Sequence, residues 1–260
     1  MNTGHKWLRR GILLAVFLAP LAPAPPAMES SGPDEQVRTD PVPFRAGETL
    51  DYRVAWSAFS SAASLELSVP ERRDLFGRET WHLRASAHTT NTVRALFTID
   101  DQSDSYSDIA TFESRQYEIH LNELGRKQDE ILHFAPTGKA SRAPGPVVAV
   151  PPGTYDPLGA LYALRGVDWR RTQEFRIPVC DGHDVYEISA RLDASGETVT
   201  VDAGNFTANR ISIHVYQRGK EVPGNSYEVW LADDPARTPV RMQAELPFGS
   251  LRAELTSVTQ

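Results

Sequence analysis

From Leu50 onward, apolar and polar residues alternate with a period of two. Leu50, Tyr52, Val54 and Trp56 point one way, while Asp51, Arg53 and Ser57 point the other, the mark of a half-buried strand. Leu65, Leu67 and Val69 repeat the pattern. So do Trp81, Leu83, Ala85 and Ala87, with His82, Arg84, Ser86 and His88 on the opposite face. Alternating runs follow at 112–123 and 126–134, joined at Leu124-Gly125, and at 174–180 and 183–192, joined at Asp181-Gly182. Asp-Gly between two such runs predicts a tight hairpin whose two turn residues both take positive φ. The last runs are 198–201, 207–218, 226–231, 239–246 and 250–258. Short strands with turn signals between them predict a mainly β chain: a single large antiparallel curved sheet, or an open half β-barrel.

One stretch breaks the period. "YDPLGALYALRG", residues 155–166, predicts a short helix packed on the concave face of the sheet or plugging it. Asp156 is a good N-cap, and Pro157 suits the first helical position, where its missing N–H is no loss. Leu158, Leu161 and Tyr162 form a stripe at i, i+3 and i+4, widened by Ala160, Ala163 and Leu164. Gly166 is expected to supply a left-handed stop after Arg165. A helix this short is marginal alone in water, so packing must hold it. The preceding stretch, 135–153, holds five prolines and three glycines and reads as a long loop, of the kind that is functional or mobile.

The start of the chain is different. Lys6, Arg9 and Arg10 precede an apolar run from Ile12 to Ala19, followed by small residues and prolines to Ala27. That order predicts a cleavable signal peptide over 1–27. A bilayer span needs roughly 20 apolar residues, and Pro20 ends the run sooner. No cysteine follows for lipid attachment, so the expected location is periplasmic, or otherwise exported, with no transmembrane segment after cleavage. Residues 28–43 read as a Pro-rich tether, and 44–260 as a single β-rich domain. Cys180 is the sole cysteine, so no internal disulfide forms. The formal charge is −7 for the whole chain, and cleavage removes three basic residues and no acidic one. A polyanion binder needs the opposite sign, which argues against nucleic acid as a partner.

Candidate chemistry is sparse. "CDGHD" places Cys180, His183 and Asp184 together, but zinc asks for further thiolate or imidazole ligands, and a plain hairpin explains the segment. "DDQSDSYSD", 100–108, lacks the glycine and the final glutamate of a calcium loop and suits a solvated strand face. His82 and His88 lie six residues apart on one strand, roughly 20 Å, too far to share a metal; each is expected to be a surface or cross-strand polar residue. Asp233-Asp234 before Pro235 opens a turn. No hydrolase, metalloprotease or phosphate-loop motif is present, so no catalytic residue, metal ligand or cofactor is expected. Tyr52, Trp56, Phe97, Tyr117, Tyr162, Tyr227, Trp230 and Phe248 either line a cavity or fill a core.

The chain resembles the bacterial exported proteins of domain of unknown function family 3108, from about residue 44 to residue 255. The likeness rests on "FRAGETLDYRVAWS", "PPGTYDPLGALYALR", "IPVCDGHDVYEI", "VDAGNFTANRI" and "WLADDPARTPVRMQAELPFGSLRAEL", the second and last being the specific ones. "SSAASLEL" departs from the pattern, which has a glycine after the small residue. The resemblance implies a β-rich periplasmic module similar to the open half-barrel of lipoprotein carriers, and it supplies no catalytic residues. The expected function is therefore the binding of an apolar ligand or lipid-like envelope component, with Leu158, Leu161 and Tyr162 as the ligand-facing stripe. The alternative is a non-catalytic structural or scaffolding protein of the envelope with a filled core.

Overall fold

A computed structural model describes residues 42–260, apart from 58, 95–97, 144, 146, 224–225 and 248. The expected signal peptide, most of the tether, Phe97 and Phe248 lie outside the described residues. The first eight strands are β1 (Thr49–Trp56), β2 (Phe59–Leu75), β3 (Arg78–Thr89), β4 (Asp100–Asp108), β5 (Ser114–Glu123), β6 (Arg126–Ala135), β7 (Lys139–Ala143) and β8 (Val147–Ala149). A single helical turn, α1 (Asn91–Arg94), sits between β3 and β4, and the helix α2 (Pro157–Gly166) follows β8. Then come β9 (Glu174–Cys180), β10 (Val185–Val201), β11 (Gly204–Gln217), β12 (Lys220–Glu221), β13 (Ser226–Ala232), β14 (Pro239–Leu246) and β15 (Gly249–Thr259).

All of these strands form one antiparallel sheet in the order β8-β7-β6-β5-β4-β3-β2-β1-β15-β14-β13-β11-β10-β9, with β12 paired to β11. The first and last strands are neighbours in the middle of the sheet. Its two edges, β8 and β9, are consecutive in sequence, and the segment joining them carries α2. The sheet curls until β9 comes close to β5 and β7, joined in part through this segment. Ser114 N of β5 donates to Thr154 O (3.1 Å), Tyr155 N donates to Pro178 O (2.9 Å), and Cys180 N of β9 donates to Tyr155 O (2.8 Å). A second tie lies close by, where Arg142 Nη1 of β7 donates to His183 Nε2 (3.2 Å). The barrel is open, but its seam is stitched.

Alternation decides which side chains fill the curve. Leu50, Tyr52 and Val54 of β1, Leu65 and Leu67 of β2, and Trp81 and Leu83 of β3 are buried. Phe44 enters this core ahead of β1. Its ring meets Trp81, Phe112 and Tyr162 edge-on, with centroids 5.1, 5.6 and 5.0 Å away, the geometry that the ring quadrupole favours. Among the described residues, no helix is long and apolar enough to cross a membrane.

Four local expectations need correction. The loop expected over 135–153 contains β7 and β8, because its central residues pair with β6 and with each other. The run 198–201 is not a separate strand. It is the end of β10, a 17-residue strand that bends at register shifts near Leu192, Ala194 and Glu197. At Asp181-Gly182 the hairpin forms, but only Gly182 has positive φ (95°). The loop spans four residues because the Asp181 carboxylate accepts from His183 N and Asp184 N, both at 2.8 Å. Finally, β4 is not a solvated strand. Ser103, Ser105 and Ser107 on one face, and Asp104 and Tyr106 on the other, are all buried, since the start of α2 covers Ser105 and Ser107 and polar neighbours cover Asp104.

Candidate functional site

Every residue of α2 is buried, so packing, not propensity, fixes the helix. It starts as the sequence requires: Pro157 stands at the first position and Asp156 Oδ1 accepts from Gly159 N at 2.8 Å. The other oxygen, Oδ2, accepts from Ser105 Oγ (2.6 Å) and from Ser114 Oγ. Ser114 Oγ in turn accepts from Asp156 N at 2.5 Å, and Ser105 Oγ lies 2.9 Å from Ser107 Oγ. The small polar side chains of β4 and β5 thus cradle the helix start. A Cβ on Gly159 would stand 2.9 Å from Ser107 Oγ, so the helix touches β4 at a glycine because nothing larger fits. Burial pushes the Asp156 carboxyl up from its ordinary range against the pull of these hydrogen bonds.

The helix end differs from expectation. Gly166 belongs to the helix and has no positive φ; the cap is Val167 in extended conformation. A left-handed glycine is unnecessary because side chains satisfy the last carbonyls. Trp169 Nε1 donates to Leu164 O (3.0 Å), and Arg237 Nη1 donates to Arg165 O (3.2 Å). Arg165 is itself fully buried, and its guanidinium grips Glu48 with both terminal nitrogens, at 2.6 and 3.0 Å. Nη2 also donates to Ala236 O (3.1 Å). The guanidinium carbon lies 5.2 Å from the ring centres of Phe44 and Tyr162. Burial works against the charge on Arg165, but Glu48 outweighs it and holds the guanidinium pKa above its ordinary value.

Above this ion pair the surface opens into a cleft of about 560 Å³. Its apolar walls include Phe44, Trp169, Leu231 and Pro235; Glu48 lies at its floor, and Arg237 and Asp233 stand among its polar residues. Burial lowers the pKa of Arg237 there, although nearby Asp168 favours its charge.

The expected stripe stands one layer behind this cleft. Leu158, Leu161 and Tyr162 are buried together in the core and do not line the cleft; Tyr162 connects to it through Phe44 and through Arg165, the partner of Glu48. Tyr52, Tyr117, Tyr227 and Trp230 are also buried, and Trp56 is half-buried. Cys180 is buried, and burial pushes its thiol up to about 12. Asp234 opens a turn as expected, its Oδ1 accepting from Ala236 N and Arg237 N at 2.9 and 3.0 Å. His82, expected at the surface or in a cross-strand pair, is buried, with Nε2 2.6 Å from Asp104 Oδ1. His88 is exposed and meets Asp100 instead.

Sequence reasoning missed the Glu48–Arg165 pair and the cleft above it. One signal was available: Arg165 stands three residues after Tyr162, on the face that had to be buried.

The fold and the sequence together define a β-barrel-like class. The chain belongs to the family described as protein of unknown function, DUF3108, which matches residues 51–256. Among solved structures it is similar to a β-barrel-like protein of domain of unknown function DUF1849 from Brucella abortus. That protein is 12% identical, with a TM-score of 0.56, and the likeness covers 86% of this chain and 98% of that one. Two others overlay more loosely. A protein described as exported, with a YmcC-like fold, from Bacteroides fragilis is 12% identical over 83% of this chain and 97% of that one, with a TM-score of 0.37. A protein described as a lipoprotein from Parabacteroides distasonis is 10% identical over 84% and 98%, with a TM-score of 0.38. No curated protein matches the sequence.

Proposed function

We propose that the protein is an exported, non-catalytic β module that binds an apolar or lipid-like component of the cell envelope in the cleft at the C-terminal end of α2. The cleft itself carries this reading. Its volume of about 560 Å³ falls in the range of ligand sites, roughly 300–1,000 Å³. Aromatic and aliphatic side chains share its lining with seven charged ones, a mixture that suits a molecule with both an apolar part and a polar head. The chain's own helix is wholly buried against the sheet, and on this reading the ligand sits beside the helix end and not within the sheet. Leu158, Leu161 and Tyr162 then support the site from behind, through Phe44. Export rests on the basic, then apolar, then proline-rich start of the sequence, and the absence of catalysis on the missing motifs.

A titration of the folded protein with an uncharged naphthylamine fluorophore tests this reading. Saturable binding is expected in the wild type and loss of it in Ala236→Trp, which fills the cleft. No binding, or equal binding in both, refutes the proposal. That outcome favours the second reading, a scaffolding protein, which the complete burial of α2 supports.

A further inference from the structure

The outer face of the sheet, opposite α2, carries a second cluster. Asp104 of β4 stands directly across from Glu118 of β5, and His120 lies two residues along β5 on the same face. Like charges directly opposite each other destabilise a sheet unless something offsets them. Asp104 is well offset. Its Oδ1 accepts from Arg84 Nε at 2.7 Å and contacts His82 Nε2 at 2.6 Å, and its Oδ2 accepts from Gln102 Nε2 at 2.6 Å. Burial raises its carboxyl pKa, but these bonds outweigh that and hold it below the ordinary range. Glu118 receives one such bond, from Gln116 Nε2 at 2.5 Å to Oε1.

His120 is oriented by a third strand. Its Nδ1 lies 2.8 Å from Asp129 Oδ1 on β6. An ionised carboxylate only accepts hydrogen bonds, so Nδ1 carries the proton there. His120 Nε2 faces Glu118 Oε2 at 3.7 Å. A carboxylate bound to the far nitrogen of an imidazole is also the usual way a metal-ligating histidine is oriented. The ligand atoms of Asp104, Glu118 and His120 all lie within 4.8 Å of one another. Tetrahedral zinc bonds of about 2.0–2.2 Å require ligand atoms about 3.3 Å apart, so the site has to contract when an ion binds.

From this juxtaposition we infer that Asp104, Glu118 and His120 form a binding site for a divalent transition metal ion of the zinc type. Two carboxylates and one imidazole suit such an ion. Asp104 supplies the buried floor, Glu118 and His120 close over it from the neighbouring strand, and the remaining coordination position faces water. Arg84, on the Asp104 oxygen Oδ1, weakens the site without occupying it.

The test uses tag-free protein stripped with a chelator and titrated with zinc sulfate against a chromophoric competitor. Thermal unfolding is followed with and without the ion. Glu118→Gln and His120→Ala are the variants, since neither removes the buried Asp104 network. A single zinc per chain is expected, together with a zinc-dependent rise in Tm. Each variant should weaken binding by at least about tenfold, since even outer-shell partners of a metal cost about 10–100-fold when mutated. No stoichiometric binding in the wild type overturns the inference. Binding retained in either variant overturns it as well.

Discussion

Replacing Leu161 by alanine asks directly whether the concave face is solid. Leu161 is 1% exposed and sits in the middle of α2, surrounded by core side chains. The substitution removes three carbons, and at about 0.8 kcal/mol per buried methylene the transfer part alone is about 2.4 kcal/mol. A cavity part adds to this according to how little the surroundings relax. The helix is fastened at both ends, by Asp156 to Ser105 and Ser114 and by Arg165 to Glu48, so it cannot slide into the vacated space. The penalty is therefore expected in the upper half of the roughly 2–5 kcal/mol range for leucine truncation. Urea unfolding of wild type and variant measures it, with an unchanged m-value as the sign that only stability has moved. A loss below about 1 kcal/mol, well under the transfer part, refutes close packing around the helix and returns the interior to the list of ligand sites.

Three further outcomes follow from the same packing. Gly159→Ala is expected to destabilise the fold, although alanine is favoured over glycine in helices by about 1 kcal/mol, because the new methyl meets Ser107 Oγ at 2.9 Å. Adding Ser107→Ala should recover most of the loss in urea unfolding, and a stabilising single variant contradicts the contact. Glu48→Gln should cost about 3–5 kcal/mol by leaving the Arg165 charge buried and unpaired, whereas Glu48→Leu with Arg165→Met should recover much of it; equal penalties for the single and double changes refute this. Asp101 is buried, its Oδ2 has no hydrogen-bond partner among the described residues, and burial raises its carboxyl to about 6. The folded state therefore holds a proton that the unfolded state releases near pH 3.9. Wild-type stability should fall relative to Asp101→Asn as pH rises between those values and run parallel above about pH 7; a constant difference across that range contradicts it.

The fold was largely legible because period-two burial leaves a direct trace. Tyr52, Leu83 and Tyr186 are buried where alternation places them. The helix was legible for a similar reason: Asp156 and Pro157 are local signals, and they act locally in the structure. What escaped the sequence depends on partners far away along the chain. Gly166 looked like a stop, but Trp169 and Arg237 satisfy the helix end, and Arg237 arrives from the loop between β13 and β14. Ser105 and Ser107 looked solvated because serine is polar, whereas their small size is what lets α2 approach. Glu48 and Arg165 meet only after the sheet has closed, 117 residues apart. The cleft above them is assembled from the segment before β1, the turn after α2, β11, β13 with the loop that follows it, and Gln260, and no motif marks it.

The most direct measurement is made on protein purified from its own cells without detergent. Organic extracts of the wild type and of Ala236→Trp, at equal protein, are compared by mass spectrometry. A lipid-like molecule that co-purifies with the wild type and is depleted in the variant is the expected result. Extracts that contain no such molecule, or contain it equally in both, contradict ligand binding in the cleft.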